Sequence, residues 1–436
     1  MKKIIFLTAL FFSTGACATT IQEIKTPGGF NVWLVEEHSQ PLISLNIAFK
    51  SSGTAYDPSG KEGRAAMATA ILAEGAGSMD SESFTRALES HAIRLSFSAD
   101  SDNFYTSLGT LSENKDIAFS YLGLALLQAR FDDHDFLRIK RQTLSAIKQQ
   151  SEKPVYLLSR AWAQNLFGSH PYSKPELGTL ASVEKLTRND LKSFTQNYLS
   201  RSNIIISVVG DITKEELSTL LDKNLGGLPV SYKPDSKIED IKLTNDYKQQ
   251  VIELDIPQTI IQFGMEGLKR SDPEYITAYV MNYLLGGGTL TSKLNNEIRE
   301  KRGLAYSVST QLEPMQHAEI FSGGLATRNE KAAESIETLK QTLKQFAENG
   351  ISETELDDAK HFLTGSFVVK LDSNSSIVGF LTMMQLQNLG IDYMDKRNNL
   401  IEAVTARQVN DMAKRLIKLD KLQIIMIGKP QLATKK

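Results

Sequence analysis

The chain contains an internal repeat, and this feature limits its possible folds more than any other. Residues 183–210 can be laid on residues 401–428 without a gap, at an offset of 218 positions. The matched pairs include Glu184 with Glu402, Thr187 with Thr405, Ile206 with Ile424, and Gly210 with Gly428. The run 42–49 is echoed by residues 259–264 at nearly the same offset. Two copies of one domain of about 210 residues are the economical interpretation.

The length and the order of the predicted elements agree with two domains of one class. The chain has 436 residues, more than one ordinary hydrophobic core holds. Hairpins followed by runs of helices predict an α+β fold, in which each domain is an antiparallel-rich mixed sheet covered by helices. Prolines, serines and lysines become frequent over residues 226–245. We therefore predict a first domain at 19–228, a linker at 229–246 and a second domain at 247–436.

Local patterns in the first copy predict individual elements. Alternating apolar residues predict strands at 21–24, 30–35, 42–49, 93–99 and 104–108, and a buried strand at 204–209. Helical periodicity predicts helices at 62–72, 81–91, 113–129, 133–150, 154–167 and 188–198. Thr187 is a predicted N-cap, and Thr213 with Glu216 forms a predicted capping box.

The first eighteen residues have the pattern of a secretory leader. Lys2 and Lys3 precede an apolar run at 4–12, and Ala16-Cys17-Ala18 is a small-x-small cleavage site. Nine apolar residues are too few to span a bilayer as a helix. We therefore predict a signal peptide at 1–18, export to a bacterial periplasm and no transmembrane segment. Lipid attachment at Cys17 is a second candidate fate, and without another Cys the mature chain has no disulfide.

The charge balance excludes one class of partner. The formal net charge is -2, and no basic stretch departs from that balance. Proteins that bind nucleic acid have a basic surface. We therefore expect no nucleic-acid partner.

Residues 282–310 join a helix to a strand and carry two polar groups at the junction. Three glycines at 286–288 are followed by a predicted helix with Leu290, Leu294 and Ile298 four residues apart. Gly303 ends that helix and a strand begins near residue 305. Arg299 lies in the last helical turn, and Tyr306 lies seven residues later. A guanidinium and a phenol are thus predicted to lie close together.

This segment resembles the C-terminal domain of the pitrilysin/insulinase family, the zinc peptidases with an inverted HxxEH motif. The similar residues are LLGGG at 284–288 and LNNEIREKRGLAYSV at 294–308, and GSHPYSKPELG at 168–178 is a further similar segment. The resemblance covers essentially the whole mature chain. It implies two similar domains that form half of a peptide-enclosing chamber. It also implies that Arg299 and Tyr306 contact the bound peptide.

The same resemblance locates the positions where active relatives bind zinc. Aligning residues 63–75 with the family motif puts Ala66, Thr69 and Ala70 at the His, Glu and His positions. Counting back from Pro154 puts Ala146 at the position of the third ligand. Ala and Thr supply neither a useful zinc ligand nor a carboxylate base. The resemblance therefore implies that this chain has no catalytic residue and binds no metal.

The remaining residues suggest no other chemistry. The six histidines are at 38, 91, 134, 170, 317 and 361, so neither HxxxH nor HExxH occurs. His134 is interpreted as a solvated helix start and His170 as a turn residue that bonds its own loop. The other four are interpreted as structural. The glycines at 286–288 lack the Lys-Ser/Thr of a phosphate-binding loop, and a tight turn between helices is the favoured interpretation.

Three hypotheses follow from the resemblance. The leading one is a non-catalytic subunit of an exported zinc metallopeptidase heterodimer, with HxxEH and zinc in a partner chain of similar length. The alternative is a peptide-binding or scaffold protein with no role in catalysis. A third, an independent hydrolase, has no visible base, nucleophile or metal cluster to support it.

Overall fold

The computed structural model describes residues 20–235, 237–243, 248–288 and 290–432. The predicted signal peptide, including Cys17, lies outside these residues. Within them, no helix has both the length and the apolar character needed to cross a membrane.

The strands form two mixed sheets. The first sheet has the order β1-β2-β6-β3-β5-β4, and the second has the order β7-β11-β8-β10-β9. The strands are β1 (Gln22–Lys25), β2 (Asn31–Glu36), β3 (Leu42–Phe49), β4 (Arg94–Ala99), β5 (Phe104–Leu111), β6 (Ile204–Gly210), β7 (Lys248–Glu253), β8 (Gln258–Glu266), β9 (Ala305–Pro314), β10 (Glu319–Arg328) and β11 (Gln423–Gly428). The parallel pairs are β2 with β6 and β7 with β11, and the other pairs are antiparallel.

Helices cover both sheets. In the first half they are α1 (Arg64–Ile71), α2 (Ser81–Ser90), α3 (Lys115–Leu127), α4 (Asp133–Ser151), α5 (Pro154–Phe167), α6 (Leu180–Lys185), α7 (Arg188–Tyr198) and α8 (Lys214–Leu225). In the second half they are α9 (Tyr275–Asn282), α10 (Ala332–Asn349), α11 (Glu353–Val369), α12 (Asn374–Leu386), α13 (Tyr393–Glu402) and α14 (Ala406–Leu416).

The repeat seen in the sequence is a repeat of topology. Without β1, the first sheet has the same strand order and directions as the second. Thr187 and Thr405 each form a capping box, at the starts of α7 and α14. Gly210 and Gly428 end β6 and β11 with φ of 144° and 143°, a conformation that favours glycine. The α+β prediction is therefore confirmed, whereas the exact domain bounds remain a prediction.

One helix of each half packs against the sheet of the other half. The helix α5 of the first half packs on β8 and β11, and α12 of the second half packs on β3 and β6. The Trp162 ring lies so close to Gly264 that a β-carbon there would be 2.9 Å from it. Ser207 in β6 accepts hydrogen bonds from Thr382 (3.1 Å) and Gln385 (2.8 Å) of α12. The two halves are therefore packed together by reciprocal exchange.

One predicted helix differs from the structure. Leu294 and Ile298 are buried as expected, but Leu290 lies in a turn before the helix and is 54% exposed. The helical segment begins near residue 293 and is π-helical over Asn295–Glu300. The prediction that Leu290 belongs to the same helix as Leu294 is therefore wrong, although the two residues are four positions apart. The glycines close a second π-helical turn, Tyr283–Gly287, that continues α9.

Candidate functional site

The junction between the π-helical segment and β9 is held by buried amide side chains. Asn295 donates to the carbonyl of Val308 (2.8 Å) and accepts from its N–H (3.3 Å). Asn282 accepts from the hydroxyl of Thr310 at 2.8 Å. Gly303, with φ of 58°, then reverses the chain into the strand. These bonds fix the segment of Arg299 against the strand of Tyr306.

Arg299 and Tyr306 lie together at this junction. The Arg299 guanidinium carbon is 5.6 Å from the centre of the Tyr306 ring, which is a cation–π distance. The Tyr306 side chain is 88% exposed, although most large apolar or aromatic side chains are buried. Its hydroxyl makes no hydrogen bond to the residues that the structure describes. The phenol is therefore free to bond a ligand.

Arg299 has donor capacity to spare. Its Nη1 atom is buried and has no hydrogen-bond partner within the described residues. Nη1 lies 3.2 Å from Oε1 of Glu300, so this contact is electrostatic rather than a well-aligned hydrogen bond. A buried polar atom without a partner is costly, and such atoms occur where a ligand or water supplies the bond. The pair thus offers a neutral donor, the Tyr306 hydroxyl, and a cationic donor, the Arg299 guanidinium.

The strand that carries Tyr306 is at the edge of its sheet. In the described part of the chain β9 pairs with β10 alone, which leaves its other side open. Ser307, Ser309 and Gln311 along this strand are exposed. An open edge can accept an extended peptide as an additional strand.

The positions implied for zinc form a half-exposed surface on α1 and α4. Ala66, Thr69 and Ala70 share one face of α1, because residues three and four apart lie on one side of a helix. The opposite face is buried in the core. Ala146 lies half-buried on α4, which packs against α1. The Thr69 hydroxyl donates to the Ala66 carbonyl at 2.7 Å, so this hydroxyl is already engaged by its own helix.

Nothing in the side chains around this face suggests a substitute metal site. Across the described ranges, no group of three or more His, Cys, Asp or Glu side chains has a geometry that could hold a metal ion. Two alanines and a threonine on α1 with a third alanine on α4 supply no carboxylate or imidazole. The donor set present does not fit zinc.

The comparisons with known proteins find a peptidase M16 domain and full-length relatives. The profile of the peptidase M16 inactive domain matches residues 185–363. The Helicobacter pylori protein called non-peptidase homolog YmxG is 28% identical over 435 residues, which is 98% of this chain and 99% of that protein. The crystal structure of a peptidase M16 inactive domain from Pseudomonas fluorescens superposes with a TM-score of 0.88 at 29% identity, over 95% of this chain and 99% of that one. Residues 185–363 therefore match a peptidase M16 inactive domain, and nearly the whole chain is similar to proteins of that type.

Peptidase M16 is the pitrilysin/insulinase family that the sequence motifs indicate. The matched range contains Arg299 and Tyr306 and excludes Ala66 and Ala146. A match to an inactive domain is consistent with a non-catalytic role for this chain. The periplasmic protease PqqL of Escherichia coli superposes with a TM-score of 0.81 at 17% identity, over 95% of this chain and 46% of that one. That likeness shows the fold alone.

Several histidines of this chain have structural partners. His134 is in the first turn of α4 with an exposed side chain, and His170 accepts from the N–H of Tyr172 at 3.2 Å. Both interpretations from sequence are confirmed. His38 lies 2.7 Å from Asp211.

The sequence did not reveal the partners of His317. This residue, in the turn between β9 and β10, lies 2.9 Å from the Tyr56 hydroxyl and 3.0 Å from Asp240. It therefore ties the hairpin of the second half to the first half and to the connecting segment. The partners lie far away in the chain, so no local motif could have indicated them.

Proposed function

We propose that this chain is the non-catalytic subunit of an exported zinc metallopeptidase heterodimer, which closes the chamber and binds the substrate peptide. One asymmetry carries the proposal. Arg299 and Tyr306 present hydrogen-bond donors at an open strand edge, whereas the four zinc and base positions carry Ala or Thr. A protein with only a scaffolding role would have no need for the exposed pair.

The pair would act on the peptide carbonyl at the partner's active site. Zinc held by HxxEH of the partner would polarise that carbonyl and activate water. The Tyr306 hydroxyl and the Arg299 guanidinium, whose side chain is 27% exposed, would donate to the carbonyl oxygen as negative charge develops on it. Removal of such a donor typically costs about 2.7–4 kcal/mol at the barrier. The chemistry would thus be shared between two chains.

The edge of β9 would hold the peptide beside the pair. A peptide added along β9 would receive backbone hydrogen bonds and would meet Tyr306 close to the start of the strand. Polar side chains on the exposed face of β9 are compatible with peptides of varied sequence. This placement supplies affinity from the backbone and leaves Arg299 and Tyr306 to select a carbonyl.

Two further observations support the location and the partner. The pattern of residues 1–18 predicts export. The match to a domain described as inactive supports the existence of a catalytic partner. We therefore place the heterodimer in the periplasm.

Purification of the tagged chain from the periplasm of its own host tests the assembly. We expect a stoichiometric companion of similar length that bears HxxEH and contains zinc. Recovery of the chain alone, or as a homodimer without zinc, would instead support a peptide-binding protein with no role in catalysis. In that case the Arg299–Tyr306 pair would lose its proposed role.

The variant Tyr306→Phe tests the chemistry once the partner is in hand. The ring stays over Arg299 and only the hydroxyl is lost, so assembly should be unchanged. We expect peptide turnover to fall at least about tenfold, because a donor to the developing oxyanion is removed. Tyr121→Phe, in α3 of the other half, is the matched control and should leave turnover unchanged. Equal turnover by wild type and Tyr306→Phe would contradict the role.

A further inference from the structure

The first half contains a pocket with an excess of positive charge. It lies between the end of α4, the start of α5 and residues 172–177, with a volume of about 570 Å³. Lys153, Arg160 and Lys174 line it, and Glu176 is the acidic residue of the lining. Glu176 and Lys153 are exposed, whereas Arg160 and Lys174 are partly buried. Volumes of this size are typical of ligand sites.

The three cations of this pocket are positioned but not directly ion-paired. Lys174 Nζ donates to the carbonyl of Asp57 at 2.6 Å, and Arg160 Nη2 donates to the carbonyl of Ser173 at 2.5 Å. Neither these two residues nor Lys153 forms an ion pair with a carboxylate in the described part of the chain. Carbonyl bonds orient a cationic side chain without pairing its charge, and the carboxylates of Glu62 and Asp57 act on Lys174 without forming a direct ion pair.

Two other half-buried cations of this protein are paired directly with carboxylates. Lys293 pairs with Glu355, and Arg138 pairs with Glu74. Burial lowers the pKa of Lys174, which shows that its ammonium group is partly removed from water. An anion in the pocket would supply the direct ion pair that the described residues do not supply.

The pocket adjoins the surface that carries the residues at the positions implied for zinc. Gln150 lines the pocket and lies four residues after Ala146, one turn further along α4. Asp57, whose carbonyl holds Lys174, accepts from the N–H groups of Gly63 (3.0 Å) and Ala65 (3.1 Å) at the start of α1. The pocket therefore lies at the end of α4 and is linked to the start of α1 through Lys174 and Asp57.

The rest of the lining suits part of a peptide. Tyr156, Tyr172, Val155 and Leu177 contribute apolar surface next to the cations. A peptide offers both apolar side chains and carboxylates, whereas a simple inorganic anion would not use the apolar surface. Cationic side chains bind carboxylates through charge-assisted hydrogen bonds.

We propose that this pocket binds a carboxylate of an acidic peptide. The carboxylate can belong to a Glu or Asp side chain or to the C terminus, since Lys153, Arg160 and Lys174 recognise the same chemical group in each. This binding belongs to the chain alone. It is therefore independent of Arg299, Tyr306 and a catalytic partner, and it goes beyond the proposed function.

Four octapeptides with a neutral N-terminal dye test the pocket by fluorescence polarisation at low salt. All four consist of alanine and leucine around two variable positions, which are both Glu or both Gln. Each version has a free or an amidated C terminus. We expect the peptide with Glu and a free terminus to bind about tenfold tighter than the peptide with Gln and an amide. The two mixed peptides show whether the side chain or the terminus is bound.

Two variants and one matched control locate the binding. Lys153→Gln and Lys174→Met should each weaken binding of the tightest peptide about fivefold, because each removes one charge from the pocket. Lys148→Gln removes an equal charge from the exposed surface of α4 outside the pocket and should bind like wild type. Lys153 is exposed, so its variant remains informative even where Lys174→Met is less stable.

Two outcomes would contradict carboxylate binding in this pocket. Equal affinity for all four peptides would overturn it, because charge would then play no part. Equal weakening by Lys148→Gln and Lys153→Gln would also overturn it, because the effect would be one of overall charge. Both results can occur with the heterodimer intact, so failure here is distinct from failure of the proposed function.

Discussion

The two halves of this protein share a skeleton and differ in the segment between their central strand and the following hairpin. After β3, the first half forms α1, a regular helix with three small residues on its half-exposed face. After β8, the second half forms α9 and then two π-helical segments that lead to Arg299 and Tyr306. Departures from regular helix often mark functional sites. The skeleton therefore determines the fold, while this segment decides what each half can do.

The most direct test of this difference between the halves is to introduce the zinc-binding and base residues that the first half lacks. A variant with Ala66→His, Thr69→Glu, Ala70→His and Ala146→Glu would have two imidazoles and two carboxylates on the faces of α1 and α4, with the Glu at position 146 as the third zinc ligand and the Glu at position 69 as the base. We expect it to bind one zinc ion with an affinity of about 1 μM or better, roughly 8 kcal/mol of binding energy. Equilibrium dialysis with zinc analysis measures this directly.

A matched control keeps the result interpretable. The double variant Ala66→His with Ala70→His has two ligands only and should bind zinc far more weakly, since structural and catalytic sites use at least three protein ligands. If the quadruple variant binds no better than the double variant, α1 and α4 do not retain the geometry of the family site.

The helix exchange predicts that the two halves are equally dependent on each other. Trp162→Ala in α5 removes a buried ring from the second sheet, and Leu381→Ala in α12 removes a buried side chain facing the first sheet. We expect losses of about 3–5 and about 2–5 kcal/mol in the free energy of unfolding, measured with urea. Val155→Ala, on the exposed side of α5, should change it by less than about 0.5 kcal/mol. A loss for only one of the two core variants would contradict reciprocal dependence.

Much of the skeleton could be predicted from the sequence, because the signals that specify it are local. Capping residues such as Thr187 and the alternation along β3 depend only on neighbours in the chain. The internal repeat shows each of these patterns a second time in the other half. The exchange of α5 and α12 could not be predicted, because a helical pattern shows which face is buried and not which sheet covers it.

The site itself was predicted in part. The spacing of Arg299 and Tyr306 placed both residues at a helix-to-strand junction, and the structure brings them together. The π-helical winding was not predicted, and neither was the bond from Asn295 to Val308, thirteen residues away, that accompanies it. The pocket of Lys153, Arg160 and Lys174 was missed as well. Its cations come from separate segments and meet only in the folded chain.

A buried carboxylate beside α1 gives the first half a pH dependence of its own. Burial raises the pKa of Asp57 from 3.8 to about 7, and Arg64 and the N–H groups of Ala65 and Gly63 oppose this rise. The folded state therefore holds a proton that the unfolded state has lost between about pH 4 and 7. The contribution of Asp57 to stability is fully present below this range and is lost as the pH rises through it.

The variant Asp57→Asn isolates this contribution, because the amide does not titrate. We expect the stability difference, wild type minus variant, to decrease between about pH 4.5 and 7.5, as measured by urea midpoints at each pH. The control Asp235→Asn changes the other carboxylate bonded to Arg64, at 2.7 Å, which is more exposed. A difference that increases with pH would show that the Arg64 charge outweighs burial and that the pKa of Asp57 lies below its usual value.

The smallest effect tests how far the equivalence of the halves extends. Thr187→Ala and Thr405→Ala each remove a side chain that caps the first turn of α7 or α14. Each should cost about 1 kcal/mol of unfolding free energy, because one helix N–H loses its partner. Thr195→Ala, within α7, keeps the cap and should cost less. Equal losses of unfolding free energy at the two caps would show that equivalent positions of the two halves contribute equally to stability. Unequal losses would show that the halves have diverged in stability although their topology is the same.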